Sequence, residues 1–325
     1  MKILITGIHG FVGSNLVAYL AKENDLYGLD IIAPQKEGVV KTYSWDDLDA
    51  GRVPAVDAII HLAGKAHDTK NQAAAEVYFK VNTGLTQKIF DWFLSQPSCL
   101  KFVFFSTAKA AADKVDCILT EEVSPAPVGP YGESKIKAEN YILGKLKEYQ
   151  SSTMNHEPLT LNQKDVYIFR PCMIHGPGNK GNLNLLYNVV RRGIPWPLGT
   201  FENRRTFTSV ENICFAVNGV LTKGVPSGIY NMGDDEALST NELIEEICRS
   251  LGKRVYIWHL PKGLMNGVAK VGGVLHLPLN PERLRKLTEN YISSNEKIKK
   301  ALGVEKMPVD AREGLQRTIK SFNQG

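Results

Sequence analysis

The stretch KILITGIHGFVGSN (2–15) narrows the folds open to this chain more than any other. An apolar run of strand length ends directly in Gly7, Gly10 and Gly13, three residues apart, and a helical pattern, GSNLVAYLAKE (13–23), follows. A residue without Cβ permits a tight turn and lets the backbone approach a phosphate. The helix behind such a turn aims its unsatisfied N–H groups and positive dipole end at that anion. Together they predict a pyrophosphate cradle, with Phe11 and Val12 inside it. The spacing is not GxGxxG and no GK[ST] follows, which excludes a P-loop. Glycines that only turn the chain are the competing reading, and their position straight after a first strand disfavours it.

The first half repeats this alternation. Candidate strands KILIT (2–6), DLYGLD (25–30), AIIHLA (58–63), KFVFFS (101–106) and DVYIFR (165–170) are separated by helical patterns at 13–23, 73–96 and 134–149. Apolar strands joined by crossover helices predict an α/β fold, a Rossmann-type doubly wound parallel sheet. The polar, aperiodic SSTMNHEPLTLNQKD (151–165) reads as a surface loop. After Arg170, Gly and Pro become frequent (HGPGNKGN, RRGIPWPLG), and a helix TNELIEEICRSLG (240–252) follows. A smaller α-rich C-terminal substrate domain is expected there. Residues 207–221 and 228–233 read as a helix and strand returning to the sheet. The two domains therefore interleave: 1–170 with 206–233, and 171–205 with 234–325.

Composition closes other routes. The 325 residues carry 39 basic and 34 acidic side chains, a net +5 scattered in both signs without a long basic run, which argues against nucleic acid as a partner. Cys99, Cys117, Cys172, Cys214 and Cys248 stand far apart, as expected of reduced thiols in a cytoplasmic protein. Seven histidines form no HxxxH or HExxH pattern, so no metal is expected. MKILITG is expected to be a strand rather than a cleavable signal, and no run of 18 apolar residues predicts a membrane span. GLMNGVAKVGGVLHL (263–277) is the most apolar segment. It admits two readings, a membrane-surface helix or a helix packed in the C-terminal domain, of which the second is favoured.

Asp30 closes the second strand, where a carboxylate accepts hydrogen bonds from adenosine ribose hydroxyls; capping a turn is its plainer alternative. The same charge repels a 2′-phosphate, and Ile31 and Ile32 offer no arginine to welcome one, so NAD is favoured over NADP. Asp47-Leu48 and Leu62-Ala63-Gly64 are expected at the third and fourth strand ends, lining the same cleft. In GPYGESKIKAE (129–139), Tyr131 and Lys135 are four apart and share one helix face. Bringing a phenol from its ordinary pKa to about 7 requires ~4 kcal/mol of phenolate stabilisation. A neighbouring ammonium supplies part of that, and a positive nicotinamide ring more. YxxxK alone arises often by chance. KFVFFST adds a second feature, Ser106-Thr107, at a strand end opening onto the same cleft. Thr107 would hold the reacting oxygen, Tyr131 would exchange its proton, and Lys135 would hold the nicotinamide ribose.

With TGIHGFVG, Asp30, HLAG, FFST and PYGESK in this order, the sequence resembles the NAD-dependent epimerase/dehydratase family. These are extended short-chain dehydrogenases that act on nucleotide-activated sugars, and the likeness covers nearly the whole chain. It implies Thr107, Tyr131 and Lys135 as the catalytic trio, NAD on the glycine loop, and Pro171 beside the cofactor. It also implies a UDP-linked nucleotide-sugar substrate and a homodimer paired through the long helices near 73–96 and 134–149. RPCMIHGPG (170–178) looks like the family's RPxxVYGPG, with His175 where tyrosine is usual. NRRTFTSVENI (203–213) looks like its RDFxxVDD segment, which implies that Arg205 grips the nucleotide diphosphate. Ser106, Asn182 and Arg283 are the further substrate contacts so implied; a guanidinium suits phosphate because its planar fork binds oxygens in pairs.

Departures narrow the activity. Sugar 4,6-dehydratases of this family carry Asp-Glu after the catalytic threonine, and here Ala108 and Lys109 stand there. AKAAAD replaces the usual VYG segment. The chain thus resembles a branch between UDP-hexose 4-epimerases and 4-keto-sugar reductases, the latter making UDP-N-acetylquinovosamine-type sugars for bacterial surface polysaccharides. A non-catalytic nucleotide-binding scaffold is the reading from another class, and the intact trio argues against it.

Overall fold

In the computed structural model, which describes residues 1–65, 74–153, 163–179, 181–275 and 279–322, the apolar runs of the first half become parallel strands. They are β1 (Lys2–Thr6), β2 (Asp25–Leu29), β3 (Lys41–Tyr43), β4 (Ala58–His61), β5 (Lys101–Phe105) and β6 (Asp165–Pro171). Between them lie α1 (Phe11–Leu20), α2 (Trp45–Asp49), α3 (Ala75–Tyr78), α4 (Leu85–Ser95), α5 (Ala108–Ala111) and α6 (Pro130–Thr153). The second half adds β7 (Met173–His175), α7 (Asn182–Arg191), β8 (Arg205–Ser209), α8 (Val210–Thr222), β9 (Gly228–Met232), β10 (Ala237–Leu238) and α9 (Thr240–Ser250). It ends with α10 (Lys262–Val274), α11 (Pro281–Thr288), α12 (Glu296–Leu302) and α13 (Ala311–Phe322).

The main sheet is the Rossmann-type doubly wound sheet, with strand order β3-β2-β1-β4-β5-β6-β9 and every pairing parallel. Successive side chains on a strand point to opposite faces. Ile3 and Ile5 accordingly join Leu16, Val17, Ile213 and Val217 under α1 and α8. Leu4, Phe102 and Phe104 join Phe90, Phe93 and Ile142 under α4 and α6. Chain order reverses on either side of β1, which has β2 on one flank and β4 on the other. A crevice opens at such a reversal, outside the carboxyl ends of the strands.

Residues 207–209 complete β8 before α8 begins, and β9 joins the sheet beside β6. The second lobe has its own core, with Leu183, Tyr187, Trp196, Leu243, Ile247 and Leu315 among its residues, and a small sheet in the order β10-β8-β7. The region 175–205 is less irregular than its glycines suggest. Leu183, Leu186, Tyr187 and Val190 recur at helical spacing and bury one face of α7. The apolar segment 263–277 forms α10 and packs Met265, Ala269 and Gly272 inward, as favoured. Its last two residues, Ala73 and most of the expected loop 151–165 lie outside the described residues.

One buried ion pair ties this frame to the crevice. Arg170, at the end of β6, sends Nη2 to Glu139 Oε2 at 2.5 Å, and its Nε lies 3.1 Å from both carboxylate oxygens. Both side chains are almost wholly inaccessible. Removing one partner of such a pair leaves an uncompensated charge in the core. Glu139→Ala is therefore expected to lower unfolding free energy by about 3–5 kcal/mol in urea titrations, whereas Glu139→Leu combined with Arg170→Met recovers most of that loss.

Candidate active site

The crevice is lined first by the glycine turn. Gly7 has φ +67°, and a Cβ there would lie 3.0 Å from the Ala63 nitrogen. A Cβ on Gly13 would lie 2.6 Å from the Gly7 carbonyl oxygen, closer than any side chain tolerates. Gly10 is the N-cap of α1 and has no side chain with which to cap that terminus. Phe11 and Val12 follow as its first two residues, half-buried. Asp30 Oδ2 accepts from the His9 N–H at 3.1 Å and Oδ1 from the Ile31 N–H at 2.8 Å, which seats the carboxylate beside the turn. Ile31 and Ile32 are exposed. On the other side, the Leu62 and Ala63 N–H groups donate to Thr6 Oγ1 at 3.1 and 2.9 Å. His61 bridges Thr6 and Thr86 through its two ring nitrogens at 2.7 and 2.9 Å. Burial pushes its pKa down to about 3, so it is a neutral structural imidazole. These residues fit a dinucleotide: an uncapped helix terminus, a Cβ-free turn and a carboxylate at the second strand end.

Two expected contacts belong elsewhere. β3 ends at Tyr43, so Asp47 and Leu48 fall inside α2 rather than at the strand end. Asp47 closes a capping box with Ser44 and takes Arg52 Nε at 2.6 Å. The hydrogen bonds from Ser44 and Arg52 hold its pKa at about 2. Leu48 is buried in the core with Tyr43 and Phe90. The sequence signal for this was the SxxD capping pattern itself.

The trio assembles where β5 ends. Thr107 is the buried N-cap of α5, its hydroxyl accepting from the Lys109 N–H at 3.3 Å and hydrogen-bonding the Tyr131 phenol. α6 starts at Pro130, a residue suited to the first turn, so Tyr131 and Lys135 both lie on helix and share a face. The Tyr131 ring meets Tyr78 edge-on at 6.4 Å. Lys135 Nζ donates to the Phe105 carbonyl at 2.8 Å and lies 5.0 Å from the Phe104 ring centre. A Cβ on Gly64 would lie 3.1 Å from that ammonium. Burial pushes the Lys135 pKa down to about 8, and Glu139 opposes the shift. Burial also raises the Tyr131 phenol, with the Thr107 hydrogen bond pulling the other way. The protein's own groups thus hold the phenol protonated rather than lowering it as the sequence suggested. The remaining contribution named there, a positive nicotinamide, is external to the chain.

Sequence reasoning passed over Asn82. It is fully buried in the wide π-turn Phe79–Gly84, a helix irregularity frequent at functional sites. Its Oδ1 accepts from the Lys65 N–H at 2.7 Å, and its Nδ2 donates to Ser134 Oγ at 3.0 Å and the Lys65 carbonyl at 3.2 Å. This side chain locks the loop after β4 onto the helix carrying Tyr131. A fully buried asparagine needs partners, and VNTG in an otherwise apolar helical stretch was its only trace in sequence.

The remaining expected contacts are dispersed. The Ser106 hydroxyl donates to buried Glu139, so it braces α6 instead of facing the crevice. Pro171 is the buried last residue of β6, opposite Met232 of β9. Arg205 opens β8 with Nη1 donating to the Lys286 carbonyl at 2.6 Å; burial pushes its pKa down and Glu289 opposes that. Exposed Arg283 lies in the first turn of α11, its N–H capped by Asn280 Oδ1 at 2.9 Å. The Arg205–Lys286 contact joins β8 to α11 and brings the two arginines' elements together. Asn182 is the first residue of α7, and its side chain lies outside the described residues. Lys109, in the place of a dehydratase carboxylate, sends Nζ to the Asp113 carbonyl and Oδ1 at 2.5 and 3.1 Å. Among the described residues no cluster of three metal-ligating side chains exists.

Gly13→Ala is expected to weaken dinucleotide binding by about tenfold or more in calorimetric titration, because the backbone cannot yield at 2.6 Å. Lys135 gives a pH signature. Its lowered folded pKa means that the unfolded chain holds the proton to higher pH, so stability rises as pH climbs from about 8 towards the ordinary lysine value. Lys135→Met should abolish that rise and, near neutrality, add up to about 3 kcal/mol of stability while activity is lost. Unfolding midpoints measured across pH check both.

A family model described as the NAD dependent epimerase/dehydratase family matches residues 3–233. The UDP-glucose 4-epimerase of Vibrio cholerae is 26% identical over 337 residues, covering 99% of this chain and 96% of the relative. An N-acetyl-alpha-D-glucosaminyl-diphospho-ditrans,octacis-undecaprenol 4-epimerase of Escherichia coli O157:H7 is 25% identical, covering 82% and 78%. The solved structure of MoeE5 with UDP-glucuronic acid and NAD superposes with a TM-score of 0.75 at 20% identity, over 100% of this chain and 99% of that one, which shows the shared fold. With its cradle, trio and sheet order in one crevice, the chain belongs to the NAD dependent epimerase/dehydratase family and is an NAD-dependent enzyme.

Proposed function

We propose that the enzyme carries out redox chemistry at C4 of a UDP-linked hexose, as a 4-epimerase of UDP-glucose or a UDP-N-acetylhexosamine. The observation that carries this reading is the Thr107–Tyr131 hydrogen bond beside buried Lys135 at the carboxyl end of β5. A hydroxyl placed between Thr107 and Tyr131 would lose its proton to Tyr131 as the carbonyl forms, while Thr107 holds the oxygen. NAD, when bound, takes up the hydride from the same carbon and returns it. For the epimer to form, the 4-keto sugar must turn over within the site before the hydride returns and Tyr131 restores the proton. Arg205, with Arg283, would hold the diphosphate, and Asn182 the sugar or phosphate. In this reading residues 1–170 with 206–233 bind NAD, and 171–205 with 234–325 bind the nucleotide sugar. The names of the Vibrio cholerae and Escherichia coli relatives support 4-epimerisation. The five free thiols support a cytoplasmic enzyme, and the family likeness a homodimer through α3–α4 and α6.

A second reading rests on Ala108 and Lys109 and on AKAAAD in place of VYG. On it the enzyme reduces a UDP-4-keto-6-deoxy-hexosamine, with Tyr131 donating the proton that its raised pKa retains. Incubation with UDP-glucose or UDP-N-acetylglucosamine and catalytic NAD should yield the C4 epimer, and Tyr131→Phe should slow turnover by about 10²–10⁴-fold with NAD binding intact. Stoichiometric loss of NADH absorbance with the 4-keto substrate, without epimer formation, would instead assign the reductase.

A further inference from the structure

The outer side of the second lobe carries a surface that the crevice does not use. α10 packs Met265, Ala269 and Gly272 inward, but among the described residues nothing covers its other apolar side chains. At about 100° per residue, Leu264, Val268, Val271 and Leu275 fall on one stripe flanking the buried face, and each is roughly half exposed or more. Tyr256 and Trp258, 54% and 53% exposed, stand on the segment that precedes α10. That segment runs beside Trp196, with the Trp258 N–H donating to the Trp196 carbonyl and the Trp196 N–H to the Tyr256 carbonyl, each at 2.8 Å. An indentation of about 250 Å³ lies there, lined by Ile194, Ile244, Tyr256, Lys253 and Arg254 among others.

The chain around Tyr256 and Trp258 carries charge of one sign. No acidic residue occurs between Asp165 and Glu202, and none between Glu246 and Glu282. Folding packs these two stretches together: Trp196 exchanges backbone hydrogen bonds with Tyr256 and Trp258, and the Lys253 ammonium donates to the Arg191 carbonyl. Arg191, Arg192, Lys253 and Arg254 are exposed, and no ion pair to a carboxylate is formed by any of them among the described residues; Lys262 and Lys270 are exposed on the far side of α10 from its apolar stripe.

An apolar helical stripe, with exposed Trp, Tyr, Lys and Arg on the segment leading into it, meets the requirements of an interface with lipid. Apolar side chains enter the acyl boundary, aromatic rings sit at headgroup level, and cations meet anionic headgroups. A nucleic acid would satisfy the cations and leave the stripe wet. A second copy of the chain, related by two-fold symmetry, would set this cationic patch against itself. We propose that this face docks peripherally on an anionic phospholipid bilayer. α10 packs on α11, the helix that receives Arg205, so the docked face lies one helix away from that arginine.

Co-sedimentation with phosphatidylcholine vesicles, with and without phosphatidylglycerol, tests this without reference to catalysis. The full chain should pellet with the anionic vesicles, remain in solution with the neutral ones, and lose most of its binding when salt is raised well beyond physiological strength. Val268→Glu with Val271→Glu should abolish pelleting while the thermal midpoint and NAD affinity stay unchanged. Lys253→Glu with Arg254→Glu should lower it severalfold, and decides the matter if the first variant does not fold. Absent or charge-independent pelleting, or wild-type binding by both variants, would overturn the proposal. So would an oligomer that the valine variant splits, or retention on RNA that the valine variant keeps.

Discussion

The buried Glu139–Arg170 ion pair is the interaction on which the arrangement of the crevice depends. It joins α6, the helix that carries Tyr131 and Lys135, to the end of β6, and the Ser106 hydroxyl joins the same carboxylate to the end of β5. Three elements that each carry a site residue are thereby held at one point: Thr107 follows β5, Tyr131 and Lys135 ride on α6, and Pro171 closes β6. Two charges removed from water gain little net stability when paired, because desolvation offsets their attraction. What such a pair supplies here is geometry. The alignment of a phenol with a threonine hydroxyl tolerates little error, and a clamp with three hydrogen bonds from one guanidinium to one carboxylate restricts it more than apolar packing would.

The electrostatics of the trio follow from the same burial. The Lys135 ammonium sits among apolar walls with a carbonyl and a ring face as neighbours, and its pKa falls. The Tyr131 phenol, also desolvated, holds its proton more tightly than in water. Both shifts are what low dielectric does to a charged form, and they run opposite to the mutual tuning that YxxxK suggests on a bare helix. A site in this state is set to donate a proton, and a bound group with positive charge is what would reverse the phenol's shift. Asn82 adds the mechanical counterpart, holding the loop after β4 against α6 so that Gly64 stays within reach of Lys135.

Strands β1, β2, β4, β5 and β6 were legible because buried parallel strands need unbroken apolar runs, and KILIT, AIIHL and KFVFF are such runs. The glycine turn and the Tyr131/Lys135 pair were legible because their geometry is local, set within one turn or one helical repeat. α7 was hidden by the glycines and prolines on either side of it, although Leu183, Leu186, Tyr187 and Val190 carry its period. Asp47, Leu48 and Ser106 were read as facing the crevice because only strand order, not side-chain direction, can be inferred from spacing. Their partners, Arg52, Phe90 and Glu139, turn them away.

By itself, the sequence determined the parallel α/β sheet, the glycine turn after β1, the dinucleotide class and the helical pairing of Tyr131 with Lys135, since each rests on periodicity or on contacts within a few residues. The tertiary structure decided which candidates meet. It brought Thr107 onto Tyr131, placed Glu139 against Arg170 across 31 positions of chain, and set two acid-free stretches side by side. Those outcomes depend on long-range packing and on burial, which change the direction of a side chain and the pKa of an acid or base without leaving a mark in local spacing.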